Sequence, residues 1–390
     1  MNKGVGSMLF NHGATMQLDT NRCLNQQHNG VECSHCVSRC PGQALILANQ
    51  QIYLIQERCL GCGLCFADCP TQVFSSSQWD ETTIRSDVEE QGAKITQIFC
   101  GSHSAPYLSK EDKEKGAVQI PTCLSALSKG AWYELGLLTG VELRLDECHD
   151  CPLKSCIERV KFALETAMEW LEASGHTPDF TLIYTADKAK KRKKLQAVSS
   201  GLKVTSRRDL FLTLMGRKHQ EQLKVQKGVP GREETKKRAR INTLPDWQKR
   251  LEDSYSRHYQ EGGNPAYWPF IQMSTECVNC GMCARYCPTQ ALKIRVEGKE
   301  CIHFFTGGHC IDCRICMLSC PTRSILRDRL PNAAPYEEQS IFKASVGKCK
   351  LCEAETITSQ DDLCYWCKEE PSPEDILSDV RQKLFGKFVQ

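Results

Sequence analysis

Between residues 277 and 320 the spacing Cys-x2-Cys-x2-Cys-x3-Cys-Pro occurs twice, at Cys277, Cys280, Cys283 and Cys287-Pro288 and again at Cys310, Cys313, Cys316 and Cys320-Pro321. No other feature restricts the fold as severely. Short runs broken by turns bury too little apolar surface to fold on a hydrophobic core, so something else must cross-link them. The chain has 26 cysteines in 390 residues. Disulfides explain such density in short secreted scaffolds. Here the stretch MNKGVGSMLFNHGATMQLDTNRC has no apolar h-region and no small-residue cleavage site, and no run of about eighteen apolar residues occurs. A cytoplasmic protein without a membrane span, whose thiols bind metal, is expected. Its 41% hydrophobic and 25% charged residues exclude disorder throughout.

The doubled run points to cubane clusters. Three thiolates two residues apart on a tight loop can reach three irons of one cubane. The fourth, followed by proline, points away and reaches the neighbouring cluster. By that rule Cys277, Cys280 and Cys283 hold one [4Fe–4S] cluster with Cys320, and Cys310, Cys313 and Cys316 hold another with Cys287. A zinc ion needs four thiolates and gives no reason for eight in this interlocked order.

Residues 23–69 repeat the arrangement with one departure. The second run, Cys59, Cys62, Cys65 and Cys69-Pro70, is standard, whereas in the first, Cys23, Cys33, Cys36 and Cys40-Pro41, the first gap is lengthened to nine residues. A longer loop adds only a logarithmic closure penalty. One cluster is therefore expected on Cys23, Cys33, Cys36 and Cys69, and another on Cys59, Cys62, Cys65 and Cys40. A lengthened run that binds a [3Fe–4S] cluster, or nothing, is the alternative. Each repeat carries a strand–turn–strand pattern between its runs, ALILANQQIYLIQ and ALKIRVEGKECIHFF.

Both repeats resemble bacterial two-[4Fe–4S] (dicluster) ferredoxin domains, and together they make the chain similar to polyferredoxins. The resemblance covers roughly residues 20–78 and 268–328. It implies the cofactor and the fold but not the pathway, because such domains serve as free carriers, enzyme subunits and maturation partners.

Residues 94–185 alternate strand and helix patterns. KITQIFC ends a strand at Cys100, AVQIPTC leads to Cys123, and VELRL leads to the loop DECHDCPLKSC with Cys148, His149, Cys151 and Cys156. A helix from about 154 to 173 follows, with Ile157, Val160, Leu164, Ala167 and Leu171 on one stripe, and then the strand FTLIYT. Such alternation predicts a small parallel α/β unit whose strand-end loops gather at one edge. Four of Cys100, Cys123, Cys148, Cys151 and Cys156 are expected to form a further metal site, with an iron–sulfur cluster preferred to zinc. Buried apolar thiols at Cys100 and Cys123 are the alternative. A helix starting near Cys156 would turn its positive dipole end towards an anionic cluster. His149 reads as a loop residue. The unit is similar, on few residues, to small iron–sulfur subunits of hydrogenase and heterodisulfide-reductase assemblies.

Cys349, Cys352, Cys364 and Cys367 form two CxxC knuckles that match a zinc ribbon separated by a short hairpin, with a rubredoxin-like iron site as the alternative. Lys348, Lys350 and Lys368 suit the thiolate charge. Cys301, His303 and His309 read as structural. Residues 186–260 hold 21 Lys/Arg against 8 Asp/Glu, a balance of +13 in a chain of net charge +3. A solvated helical linker is expected there. A docking surface for an acidic partner is the next reading, and nucleic acid is disfavoured because few aromatics interleave the basic runs. In SRRDLF, Ser206 reads as a helix N-cap rather than part of an export signal. Four clusters at roughly −2 each would bring the loaded protein to about −5.

The fold expected is therefore α+β: two ferredoxin-like dicluster modules (1–80 and 268–330), a central α/β unit (90–200), a basic helical linker (201–267), and a zinc ribbon with a C-terminal helix (340–390). No G-x-G-x-x-G fingerprint or P-loop occurs. The function expected is single-electron transfer between redox enzymes, by a non-catalytic carrier or a subunit of an oxidoreductase complex. The alternatives are an accessory protein docking an apo-metalloenzyme, such as a molybdenum enzyme or hydrogenase, and an iron–sulfur subunit of a flavin-containing complex.

Overall fold

Five short strands rich in Ile, Val and Phe line up in parallel to make the one sheet with a conventional core. Their order is Val198–Ser199, Gly116–Ile120, Ile95–Cys100, Gly140–Arg144 and Phe180–Ile183. The central strand has neighbours on both sides, and Ile98 and Phe99 are fully buried, as a near-continuous apolar run requires. The helices Lys129–Leu138 and Ile157–Ala173 pack on one another against this sheet. Ser128 caps the first, its hydroxyl accepting from the Ala131 N–H at 3.1 Å. Val160, Leu164, Ala167 and Leu171 of the second are buried along the expected stripe.

This is a computed structural model, and it describes residues 16–27, 31–103, 107–108, 115–185, 193–194, 198–199, 243–357 and 362–368. The chain divides into two compact units, Met1–Ala266 and Tyr267–Gln390. In the first, Met16–Leu18 pairs antiparallel with Phe74–Ser76, and Leu45–Ala48 forms a hairpin with Gln51–Leu54. The helix Glu81–Gln91, capped by Asp80 and ended by Gly92 in the left-handed region, leads from this ferredoxin-like part into the parallel sheet.

In the second unit the strands Tyr267–Met273 and Ile325–Pro331 pair along seven residues each, and Leu292–Glu297 forms a hairpin with Glu300–Phe305. A third strand, Gln339–Ser345, extends that hairpin. Gly347–Lys348 and Glu355–Thr356 then bracket the first CxxC knuckle, so the small hairpin carries that knuckle at its turn rather than separating the two.

The solvated linker is corrected where it is described. Asp246–His258 is a helix docked on Lys129–Leu138, with Leu251 and Tyr255 buried. Arg250 bonds Glu134 at 3.1 Å and Glu81 at 2.5 Å, so its charge is used inside the fold. Residues 200–242, with Ser206, and the C-terminal helix expected beyond residue 368 lie outside the described residues. Among the described residues no helix is long and apolar enough to cross a membrane.

Candidate metal centres

In the first ferredoxin-like part the hairpin and two short helices, His35–Arg39 and Leu64–Asp68, bring eight thiols around two hollows. One is lined by Cys23, Cys33, Cys36 and Cys69, with Ile52, Val73 and Phe74. The other is lined by Cys40, Cys59, Cys62 and Cys65, with Cys36 and Leu45. The fourth cysteine of each run thus faces the three of the other. Asn25 fixes the lengthened loop: its side chain donates to the Cys33 carbonyl at 2.8 Å and accepts from the Cys33 N–H at 2.7 Å. No spacing rule points to that buried carboxamide. Backbone N–H groups of Ala44 and Val73 donate to the sulfurs of Cys40 and Cys69, each at 3.3 Å.

The second unit repeats this plan. Cys287, Cys310, Cys313 and Cys316 line one hollow with Ile271, Leu292 and Phe305. Cys283 is buried in an apolar cluster that Cys320 packs against, and the charges of Cys277 and Cys280 act on it. The Ser324 N–H donates to Cys320 Sγ at 3.3 Å, and the Asp312 N–H to Cys310 Sγ at 3.4 Å.

Without metal, Cys36, Cys283 and Cys316 resist ionisation. Burial first, then the neighbouring Cys69, Cys33 and Cys23 thiolates, push Cys36 up to about 12. Burial and its own neighbours do the same to Cys283 and Cys316, each raised to about 12. Four crowded sulfurs in an apolar hollow are stable as thiolates only beside compensating positive charge, which iron supplies. The donor sets fit [4Fe–4S] clusters in spacing as well. Four ligands of one tetrahedral zinc lie about 3.8 Å apart, given Zn–S near 2.3 Å, whereas cubane ligands sit on four different irons. Among the described residues, the only groups of three or more ligand atoms within 4.8 Å of one another are those of Cys349, Cys352, Cys364 and Cys367.

The thiols of that last quartet lie close enough together to share one metal ion. The N–H of Cys364 donates to Cys349 Sγ at 3.3 Å and that of Cys367 to Cys364 Sγ at 3.4 Å, and Cys352 and Cys364 lie 3.7 Å apart. Backbone donors from Cys364 and Cys352 bring Cys349 down to about 6. Of the lysines expected to offset thiolate charge, Lys350 pairs with Asp362 at 2.7 Å.

At the C-terminal edge of the parallel sheet the five central cysteines converge. Cys100 ends its strand, Cys123 follows the neighbouring strand on one side, and Cys148 and Cys151 follow the neighbour on the other. Burial, then Cys100, Cys123 and Cys151, raise Cys148 to about 12. Cys156 lies deeper, at the start of helix Ile157–Ala173, and shares an apolar cluster with Cys62, Leu64 and Leu153. His149 is largely solvent-exposed, bonded to Asp150 at 2.8 Å. Sequence reasoning missed His103, which is buried and donates to Asp146 at 3.0 Å, while Arg144 grips the same carboxylate in bidentate fashion. Those bonds hold Asp146 well below the usual carboxylate range despite its burial. The three are scattered over 44 positions with no motif.

The second-unit histidines and Cys301 are built into the fold. Cys301 is fully buried, His303 donates to Asn279 Oδ1 at 2.9 Å, and His309 packs on Tyr336.

Residues 29–74 match a family described as a 4Fe-4S dicluster domain, and residues 272–293 match a family described as a 4Fe-4S binding domain. The chain therefore carries two 4Fe-4S ferredoxin-type domains, within a mixed fold of helices and sheets that includes a parallel sheet. No curated protein matches the chain.

Proposed function

We propose that this chain transfers single electrons between larger redox enzymes through four [4Fe–4S] clusters. Cys23, Cys33, Cys36 and Cys69 hold the first and Cys40, Cys59, Cys62 and Cys65 the second. Cys277, Cys280, Cys283 and Cys320 hold the third, and Cys287, Cys310, Cys313 and Cys316 the fourth. The observation that carries this reading is the crossing: the hollows beside three of the four runs each take their last thiol from the other run of the module. Each such cluster, when bound, takes up and gives back one electron. The chain's own residues set how readily. Crossed ligation keeps the two sites of a module adjacent. Ile52, Val73 and Phe74 in one hollow, and Leu292 and Phe305 in another, exclude water. Backbone N–H groups aimed at Cys40, Cys69, Cys310 and Cys320 stabilise the thiolates. The knuckle quartet holds one Zn²⁺ that replaces a core for the ribbon.

A second reading, an accessory protein that docks an apo-metalloenzyme, is favoured by the ribbon alone, which leaves Leu351 and Trp366 exposed. Anaerobic co-purification of the full chain names the partner, and the Cys287→Ser/Cys320→Ser double variant then separates the readings. A relay loses partner activity while binding survives. Maturation of the partner that continues without those clusters would establish the docking role instead.

A further inference from the structure

The central cysteines raise a question that the ferredoxin spacing does not answer, because five thiols meet where four suffice. Their surroundings sort them. Cys148 interacts with Cys100, Cys123 and Cys151, and Cys100 with Cys123 and Cys151. Cys156 interacts with Cys123 on one side and with Cys62 of the first ferredoxin-type domain on the other. It is 2% exposed, whereas the other four are half-buried.

The seam beside Cys156 is tightly made. Thr122 Oγ1 donates to the Gly61 carbonyl at 2.9 Å, tying the loop before Cys123 to the loop before Cys62. Gly63 has φ of +70°, and a Cβ there would come within 2.6 Å of Ala126 Cβ. Asp68, beside Cys69, is paired with Arg39 at 3.2 Å and with Arg159 of the helix that Cys156 begins. Leu60, Leu64 and Leu153 close the seam to water.

We propose that Cys100, Cys123, Cys148 and Cys151 hold a fifth iron–sulfur centre, and that Cys156 packs it against Cys62 without ligating it. Parallel strands whose ends all carry thiols supply the four ligands from three separate loops, so the site is built by the sheet and not by a contiguous run. The spacing argues for a cluster over a zinc ion. No three of these ligand atoms lie within 4.8 Å of one another, in contrast to the knuckle quartet. His103 faces acidic partners at both ring nitrogens, Nε2 to Asp146 at 3.0 Å and Nδ1 towards Glu147 at 4.0 Å. The 17-residue helix Ile157–Ala173 begins at this edge, with its amide dipole favouring an anionic group there. The centre sits beside the second cluster site of the first domain, so that adjacency rests on the ligand set proposed above, whereas the centre itself does not.

The test uses the full chain purified anaerobically. Cys148→Ala and Cys151→Ala should each remove about two or about four iron atoms per chain, for a [2Fe–2S] or a [4Fe–4S] centre. Zinc should stay at the wild-type value, and Cys156→Ala should keep wild-type iron. Cys59→Ala should lose iron additively with Cys148→Ala, and far-UV circular dichroism verifies that each variant is folded. In the dithionite-reduced wild type, the paramagnetic resonance of the first domain should show magnetic coupling beyond that between its own two clusters, and Cys148→Ala should remove that addition. Unchanged iron in Cys148→Ala, loss of zinc instead of iron, or equal iron loss in Cys156→Ala would overturn the assignment. Failure of the relay reading shows only in partner activity and leaves these iron counts as predicted.

Discussion

The loops at Cys59–Cys65 and Cys310–Cys316 have the same cysteine spacing and the same backbone, yet the molecule uses them differently. Gly61 and Gly63 in the first, and Asp312 and Arg314 in the second, all lie in the left-handed region, with φ of 66°, 70°, 57° and 60°. In the first loop Gly61, Cys62, Gly63 and Leu64 are buried under the central α/β unit. In the second, Asp312 and Arg314 are exposed. The conformation is set by metal-loop geometry, and the residue that adopts it is set by what stands above. Left-handed backbone alone is tolerated by aspartate and arginine; a left-handed turn pressed against Ala126 needs glycine. One ferredoxin-type domain is thereby internal at its second cluster site, and the other keeps the equivalent loop facing solvent.

Breaking the crossing has the largest expected effect. Cys69→Ala should remove about four iron atoms from the site of Cys23, Cys33 and Cys36, leaving the neighbouring run's cluster in place, and Cys320→Ala should do the same to Cys277, Cys280 and Cys283. Iron analysis with Mössbauer spectra of single-domain losses checks it; loss from the cluster adjacent in sequence contradicts crossed ligation.

Exchanging the turn residues sharpens the comparison. Gly63→Arg places a side chain where only 2.6 Å is open to Ala126 Cβ, and should destabilise the first unit by about 3 kcal/mol or more. Arg314→Gly, in a loop open to solvent, should change the stability of the second by no more than about 1 kcal/mol. Anaerobic denaturant titrations give both numbers, and similar effects would mean that the first loop is not covered.

A smaller effect is expected in the second unit. Burial lowers His303 to about 4, and it is 1% exposed. A depressed imidazole contributes stability that is present above its unfolded value near 6.5 and is lost as pH falls through its folded value. Relative to His303→Gln, which does not titrate, wild type should lose up to about 3 kcal/mol between pH 6.5 and 4. Parallel pH profiles of the two proteins would refute this. A more modest loss than that of His303 is expected of Asp68→Asn, which weakens two partly exposed arginine pairings on a buried carboxylate and should cost about 1–2 kcal/mol in the first unit.

Much of the architecture was legible because metal-ligand spacing and strand alternation are local. The two 4Fe-4S ferredoxin-type repeats, both hairpins and the parallel sheet with its thiol-bearing edge could be read from neighbouring residues. The Asn25 clamp on Cys33 could not, because a single carboxamide carries no periodic signal. Nor could the His103–Asp146–Arg144 network, whose members meet only when adjacent strands pair. The docking of the helix Asp246–His258 was hidden by charge: its basic surroundings masked the Leu251 and Tyr255 face, and Arg250 finds its partners, Glu81 and Glu134, far away in sequence. The strand Gln339–Ser345 went unread because its pairing partner, Glu300–Phe305, already completed a hairpin.

The contrast between the covered and the open loop is tested most directly by hydrogen–deuterium exchange of the loaded full chain under anaerobic conditions. Both loops carry the same cysteine spacing, so under the proposed ligation cluster binding cancels and the covering remains. Amides of residues 59–66 should exchange at least about tenfold more slowly than those of 310–317. Equal rates in the two loops would contradict the account.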